Sequence, residues 1–80
     1  MLVILRRKLL DFLNKQFDLE ELRTLCFHLN VDYDNLPGEG KQAKARELIA
    51  YQVRMSGEDY GRLRELIAEI KALRPDVALP

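Results

Sequence analysis

Residues 18–29 read DLEELRTLCFHL and predict an amphipathic helix. Asp18 is a good N-cap, and Glu21 three positions later completes a capping box, in which each side chain accepts a hydrogen bond from the other residue's backbone N–H. The apolar side chains then recur at spacings of three and four, which places them on one side of the helix. They are Leu22, Leu25, Cys26 and Leu29. This helix is therefore expected to bury one face against other helices.

Three further segments show helical periodicity, over residues 2–16, 41–55 and about 57–75. The apolar stripe of the first consists of Leu2, Leu5, Leu9, Leu13 and Phe17, widened by Ile4, Leu10 and Phe12. The stripes of the other two consist of Ala45, Leu48, Ile49 and Val53, and of Leu63, Leu66, Ile67, Ile70 and Leu73. Pro75 has no backbone N–H to donate and is expected to stop the last helix.

The connections between these helices are rich in residues that favour turns. Residues 30–40 include a proline and two glycines, so this stretch is predicted to be a loop with a single helical turn over 32–36. Ser56 is expected to cap the last helix, with Glu58 and Asp59 in its first turn, where acidic side chains favour the helix dipole. Short loops make neighbouring helices pack antiparallel, so the sequence predicts a compact all-α bundle.

Length and composition limit what such a bundle can be. The chain has 80 residues, which predicts a single domain over 1–75 and a frayed tail over 76–80. Its hydrophobic content of 48% is that of a folded domain. Cys26 is the only cysteine, so no internal disulfide can form, and with one histidine these two residue types cannot build a zinc site. We therefore expect no metal, no cofactor and a reducing, cytoplasmic location.

The apolar runs are too short to predict contact with a membrane. The run from Leu2 to Leu5 is shorter than the core of a signal peptide, and the basic cluster at 6–8 follows it instead of preceding it. No run approaches the roughly 18 apolar residues of a membrane-spanning helix. No membrane partner is expected.

Motifs that could carry catalysis are weak. Residues 38–41 read GEGK at a helix start, but a phosphate-binding P-loop needs its first glycine further upstream, a Ser or Thr after the lysine, and a preceding strand. Cys26 and His28 are two residues apart, which points them to different sides of a helix, so they do not form a nucleophile and base. The acidic pairs, such as Glu20 with Glu21, are expected to be solvated. The sequence therefore predicts no enzyme.

Charge is the surface feature that stands out. The 13 basic and 13 acidic side chains give no net charge, but they are unevenly distributed. Residues 1–16 carry four basic and one acidic side chain, and residues 41–56 carry the same numbers, so each segment is +3. Residues 17–40 carry one basic and six acidic side chains, or −5, and residues 57–80 carry four and five, or −1. Two basic helices and one acidic segment are thus predicted.

Two lysines also break a local rule. Lys41 and Lys44 lie near the start of their helix. A cation there interacts unfavourably with the helix dipole and destabilises the helix by about 0.3–1 kcal/mol. A local rule broken without an evident gain in folding is often a sign of function. The alternative is that Glu39 and solvent screening neutralise the effect.

The sequence ELRTLCFHLNVDYDNLPGEGK over residues 21–41, followed by KARELI over 44–49, resembles the bacterial effector-associated, death-like domains. These are helical modules related to the death-effector and caspase-recruitment domains. The resemblance implies their six-helix fold; together with the segments above, it leads us to expect a compact antiparallel death-like bundle of five or six helices. Residues 62–66 read RLREL and do not reproduce the Arg-x-Asp-Leu motif of death-effector domains, so its charge triad is not carried over.

The resemblance also implies a function. Such modules are non-catalytic adaptors that recruit or cluster effectors, such as proteases, TIR proteins or NTPase switch proteins, in bacterial conflict signalling. Death-fold assemblies commonly pair a face of helices one and four with a face of helices two and three of a neighbour. Here the +3 segments are helices one and four, and the −5 segment contains helix two and the turn counted as helix three.

We therefore expect a basic face to meet an acidic face of a like domain, on a second copy or on an effector, giving a homo-oligomer or filament. The basic face consists of Arg6, Arg7, Lys41, Lys44 and Arg46, and the acidic face of Glu20, Glu21, Asp32 and Asp34. The alternative is a small nucleic-acid-binding domain that uses the basic helices one and four. Against it, the basic surface lacks base-reading Asn and Gln side chains, and the acidic loop would repel phosphate.

Overall fold

This computed structural model describes residues 2–76, except for the side chain of Leu2. Most of these residues lie in four α-helices. They are α1 (Leu2–Gln16), α2 (Leu19–His28), α3 (Gly40–Met55) and α4 (Gly61–Leu73), with a 3₁₀ turn at Tyr33–Asn35 between α2 and α3. Residues 2–76 contain no strand, so the all-α prediction is confirmed. The radius of gyration is 11.5 Å, close to the roughly 12 Å expected of a compact chain of this length.

The expected count of five or six helices is wrong, because the described residues form four α-helices. The connection between α2 and α3 contains only one 3₁₀ turn, since Pro37 and Gly38 follow shortly after its C-cap Leu36. Gly38 has a φ of +88°, and a Cβ there would lie 2.9 Å from the Cβ of Ala43 on α3. The predicted frayed tail over 76–80 lies outside the described residues except for Asp76.

The ends of α2 confirm the helix predicted from its sequence. Asp18 Oδ1 accepts a hydrogen bond from Glu21 N–H at 2.8 Å, and Glu21 Oε1 accepts one from Asp18 N–H at 3.0 Å. At the other end Asn30 takes a left-handed conformation with φ of 59°. Val31 N–H then donates to Cys26 O at 2.9 Å, which is the Schellman arrangement that satisfies the last carbonyls of a helix.

α3 is the helix on which the others pack. α1 makes its main helix contact with α3, while α2 packs against both α3 and α4. Most of the predicted stripe residues are buried in one cluster, together with Val31 and Leu36 from the loop. Ile4 is an exception: it was expected to widen the stripe of α1 but is 56% exposed.

Cross-helix contacts establish the helix directions. Lys41, at the start of α3, donates to carbonyls at the end of α1, so α1 and α3 run antiparallel. Arg74 pairs with Glu21 while His28 pairs with Glu69, so α2 and α4 also run antiparallel. Neither pair is successive along the chain, so antiparallel packing of helices joined by short loops stays a prediction.

The junction of α3 and α4 differs from its prediction. α4 begins at Gly61, so Glu58 and Asp59 lie in the connection and not in the first turn. Tyr60 precedes the helix with a φ of 56°, a left-handed conformation from which the helix starts. The fully buried Gln52, which periodicity did not select, donates through Nε2 to Arg62 O at 2.9 Å. Ser56, the expected cap of α4, accepts a hydrogen bond from Leu63 N–H through Oγ at 3.0 Å, so residues of α3 and of its C-cap are both hydrogen-bonded to the first turn of α4.

Replacing Tyr60 with glycine is expected to raise the free energy of unfolding by about 0.5–1 kcal/mol. Glycine adopts positive φ without a steric penalty, and Tyr60 is 46% exposed, so little buried contact is lost. Chemical denaturation checks this. Tyr60→Ala is the matched control, because it removes the same ring but keeps a Cβ in the left-handed conformation. A glycine variant no more stable than the alanine variant would show that Tyr60 is not strained.

Candidate functional site

Three of the five residues predicted for the basic face lie together. Arg6 and Arg7 from α1 and Arg46 from α3 line one pocket between these helices. The other lining residues are apolar: Val3, Leu10 and Ile49. The pocket has a volume of about 200 Å³ and opens to solvent. We call it the α1/α3 pocket, and the three arginines its arginine rim.

The arginine rim is poorly neutralised within the chain. Across the part of the chain that the structure describes, no carboxylate lies within ion-pair distance of Arg6 or Arg7. Among residues 2–76, Arg46 has one carboxylate neighbour, Glu47, whose Oε2 lies 3.9 Å from its Nε. An exposed pair at that distance contributes little. The rim is thus available to an external anion or carboxylate.

Lys41 is engaged elsewhere. Its ammonium donates to the carbonyl oxygens of Asn14 and Phe17, each at 2.9 Å. Arg74 Nε donates to Gln16 O at 3.0 Å in the same region. The last carbonyls of a helix have no partner within the helix, and cations there are favoured by its dipole. Lys41 therefore caps α1, which explains why a lysine lies unfavourably at the start of its own helix.

Lys44 has a similar role one helical turn later. Only 9% of it is exposed, and its ammonium donates to the carbonyl oxygens of Tyr33, at 3.0 Å, and Leu36. It also lies 5.0 Å from the centroid of the Tyr33 ring, within the range of a cation–π contact. Lys44 holds the 3₁₀ turn against α3. Both lysines are bound by backbone carbonyls, so the accessible charge of the predicted basic face resides in its arginines.

The predicted acidic residues divide in the same way. Glu21 is occupied by the capping box and by an ion pair with Arg74. Asp32 caps the 3₁₀ turn by accepting from Asp34 N–H at 3.1 Å and from Asn35 Nδ2 at 3.0 Å. These two carboxylates have structural roles.

Glu20 and Asp34 remain accessible. Glu20 is exposed in the first turn of α2. The side chain of Asp34 is 81% exposed and lies 3.8 Å from Arg23, whose guanidinium covers the Tyr33 ring at 4.4 Å. The structure therefore leaves one accessible carboxylate on α2 and one on the 3₁₀ turn.

Phe27 is a surface residue that the sequence analysis did not single out. It is 79% exposed, the largest value among the large apolar side chains described. Its neighbours Leu25 and Cys26 are fully buried. The exposure of Phe27 could have been predicted, because Phe27 falls outside the apolar stripe of α2 and therefore faces away from the core.

The candidate catalytic groups are not assembled into a site. Cys26 is fully buried, and burial raises the pKa of its thiol to about 11, an effect that the nearby charges of Lys44 and Arg23 only partly offset. His28 lies on the surface, with Nδ1 3.3 Å from Glu69. Among residues 2–76 no three His, Cys, Asp or Glu side chains are grouped so that they could hold a metal ion.

No helix in the described part of the chain has both the length and the apolar character needed to cross a bilayer.

Comparison with known proteins gives one match. The family model described as effector-associated domain 7 matches residues 7–75, which includes all four helices apart from the first turn of α1. No curated protein and no solved structure matches the chain.

Proposed function

Because the chain belongs to the effector-associated domain 7 family, we propose that it is a non-catalytic adaptor domain that recruits or clusters effector proteins. It binds a like domain, on a second copy or on an effector, through complementary charged faces. A death-like fold, a role in bacterial conflict signalling and a cytoplasmic location are parts of the same proposal. These three points rest on the sequence resemblance. The family match supports the resemblance to an effector-associated domain.

One observation carries the proposal. The arginine rim of Arg6, Arg7 and Arg46 has only one weak carboxylate partner among the described residues, Glu47, whereas Glu20 and Asp34 are accessible on different elements. Opposite potentials on separate surfaces of one chain favour a head-to-tail contact, which extends into a ring or filament. We assign the interaction to these five residues. Lys41, Lys44, Glu21 and Asp32 support it by keeping the helices in place.

Nucleic-acid binding is the weaker candidate. Lys41 and Lys44 would have had to supply phosphate contacts, but backbone carbonyls already accept hydrogen bonds from their ammonium groups. Six of the eight basic side chains of residues 1–16 and 41–56 remain, but only three of them line one pocket. Three arginines supply little charge for a surface whose affinity depends on neutralising several phosphates.

Reversing either face is expected to abolish self-association. The acidic-face variant combines Glu20→Lys with Asp34→Lys, and the basic-face variant combines Arg6→Glu with Arg46→Glu. Like charges brought together at an interface cost several kcal/mol, so each variant should sediment as a monomer at concentrations where the parent chain assembles. Sedimentation velocity at low salt measures this, and assembly of the parent chain should weaken as salt rises.

A mixture of the two variants tests whether the two faces bind each other, because each variant retains one intact face. The mixture is expected to assemble again, because the intact basic face of one variant meets the intact acidic face of the other, and the two reversed faces are also opposite in charge. Glu58→Lys with Glu65→Lys is the matched control, since it makes the same change of charge at exposed positions outside both faces. Assembly that survives both reversals, or a parent chain that remains monomeric at low salt, contradicts association between copies through these faces.

A further inference from the structure

Phe27 exposes an apolar ring on the same helix that carries part of the acidic face. Its side chain is 79% exposed, although α2 buries Leu22, Leu25 and Cys26 on its other side. Aromatic residues, phenylalanine among them, are enriched in the buried core of protein interfaces relative to the rest of the surface. The surface of α2 thus offers a hydrophobic anchor.

Phe27 and Glu20 lie on one side of α2. They are seven residues apart, which is close to two full turns of an α-helix, or about 10 Å along its axis. A partner that contacts the carboxylate of Glu20 is therefore within reach of the Phe27 ring. The helix presents a negative charge and an aromatic ring in one row.

The α1/α3 pocket has the complementary features. Half of its lining residues are apolar, namely Val3, Leu10 and Ile49, and its volume is about 200 Å³. An apolar protein cavity of about 150 Å³ is large enough to hold benzene. The arginine rim can pair with a carboxylate and can also lie over an aromatic face.

We propose that Phe27 of one copy inserts into the α1/α3 pocket of a second copy, with Glu20 beside it on the arginine rim. This inference rests on the proposed function and specifies its contact. A second copy is the occupant because both halves of the contact are on this chain: an apolar ring next to a carboxylate, and an apolar pocket surrounded by uncompensated arginines. The ring and the pocket are different surfaces of the chain, so the contact is heterologous, and each copy keeps one half free to bind a further copy.

Phe27→Ala is expected to weaken self-association by about 30-fold or more, as truncation of an interface anchor does. Met55→Ala is the matched control, because it truncates another exposed apolar side chain, 52% exposed, outside the pocket. Sedimentation equilibrium measures the association constant. Phe27 contributes little to the fold, so both variants should keep the parent melting temperature.

The pocket is tested separately by Val3→Trp, which fills it from a position that is 65% exposed. The matched control is Ile4→Trp, at the adjacent residue, which is 56% exposed and does not line the pocket. The first variant should lose association and the second should retain it. A mixture of Phe27→Ala and Val3→Trp should form a complex with one copy of each, since each keeps the half that the other lacks.

Each outcome has a separate meaning. If charge reversal abolishes assembly but Phe27→Ala changes it less than about threefold, the anchor is wrong and the charged faces stand. If Phe27→Ala acts and Val3→Trp does not, the ring binds another surface and the pocket assignment is overturned. If neither charge reversal nor Phe27→Ala has an effect, the proposed function fails as well. A parent chain that remains monomeric overturns the second copy as occupant.

Discussion

Lys44→Met is expected to lower the free energy of unfolding by about 2–3 kcal/mol, because it removes the charged donor shared by two carbonyls. Methionine keeps the length of the lysine stem but cannot donate a hydrogen bond. The carbonyl oxygens of Tyr33 and Leu36 would lose the ammonium that holds them to α3. A change of about 1 kcal/mol shifts the melting temperature of a domain this small by about 4–8 °C. The variant should therefore melt at a markedly lower temperature.

Lys8→Met is the matched control, since Lys8 is an exposed lysine on α1 and makes no ion pair among the residues described. It should leave the stability within about 0.5 kcal/mol of the parent chain. Differential scanning calorimetry of the two variants gives the comparison. Equal stabilities would mean that the 3₁₀ turn holds without Lys44, and the lysine would then return as a candidate for the basic face.

Labelling of Cys26 by a thiol reagent at pH 8 is expected to be at least about a hundredfold slower in the folded chain than in the denatured chain. The thiolate is the reactive form, and burial raises the thiol pKa from 9.0 to about 11. The side chain is also fully buried, so a reagent reaches it only when the structure opens. The labelling rate with and without denaturant provides the measurement.

An exposed thiol on the same helix is the control for reagent access. The variant Cys26→Ala with Thr24→Cys moves the thiol to an exposed position two residues earlier and should label rapidly. Equally rapid labelling of Cys26 itself would contradict its burial and would reopen the interpretation of this residue as a nucleophile.

The same thiol makes the stability of the chain depend on pH in the alkaline range. The folded state holds the thiol proton more tightly than the unfolded state, whose thiol has a pKa near 9.0. Between pH 9 and 11 the folded state therefore binds more protons, and stability falls as pH rises, by up to about 3 kcal/mol. Cys26→Ala should show a shallower loss over this range, since its other titrating groups are those of the parent chain. Parallel curves would contradict the raised pKa.

Most of the helical structure follows from local sequence. The capping box of Asp18 and Glu21 and the stripe of α2 act within a few turns, so they predict the helix without knowledge of its neighbours. The end of the last helix before Pro75 follows for the same reason. The start of α4 follows only in part. Ser56 Oγ accepts a hydrogen bond from Leu63 N–H, as expected of a cap, but the bond from Gln52 Nε2 to Arg62 O comes from a residue on α3 that the apolar pattern does not select.

The candidate site could be predicted only in part. The arginines and the carboxylates could both be predicted from the sequence, because the charge of a segment depends only on the residue types in it. Charge counting could not separate Arg46, on the rim of a pocket, from Lys44, two residues earlier and bound to carbonyls of the 3₁₀ turn. It also passed over Phe27, since an uncharged residue does not contribute to a charge count.

The sequence by itself determined four helical segments, most of their buried stripes and the alternation of basic and acidic segments. All of these depend on residues within a few turns of one another or on composition. Tertiary structure alone decided which charges remain available. The acceptors of Lys41 lie 24 and 27 residues away along the chain and come within hydrogen-bond distance only when α1 and α3 pack. A lysine that opposes its own helix dipole thereby becomes the cap of another helix.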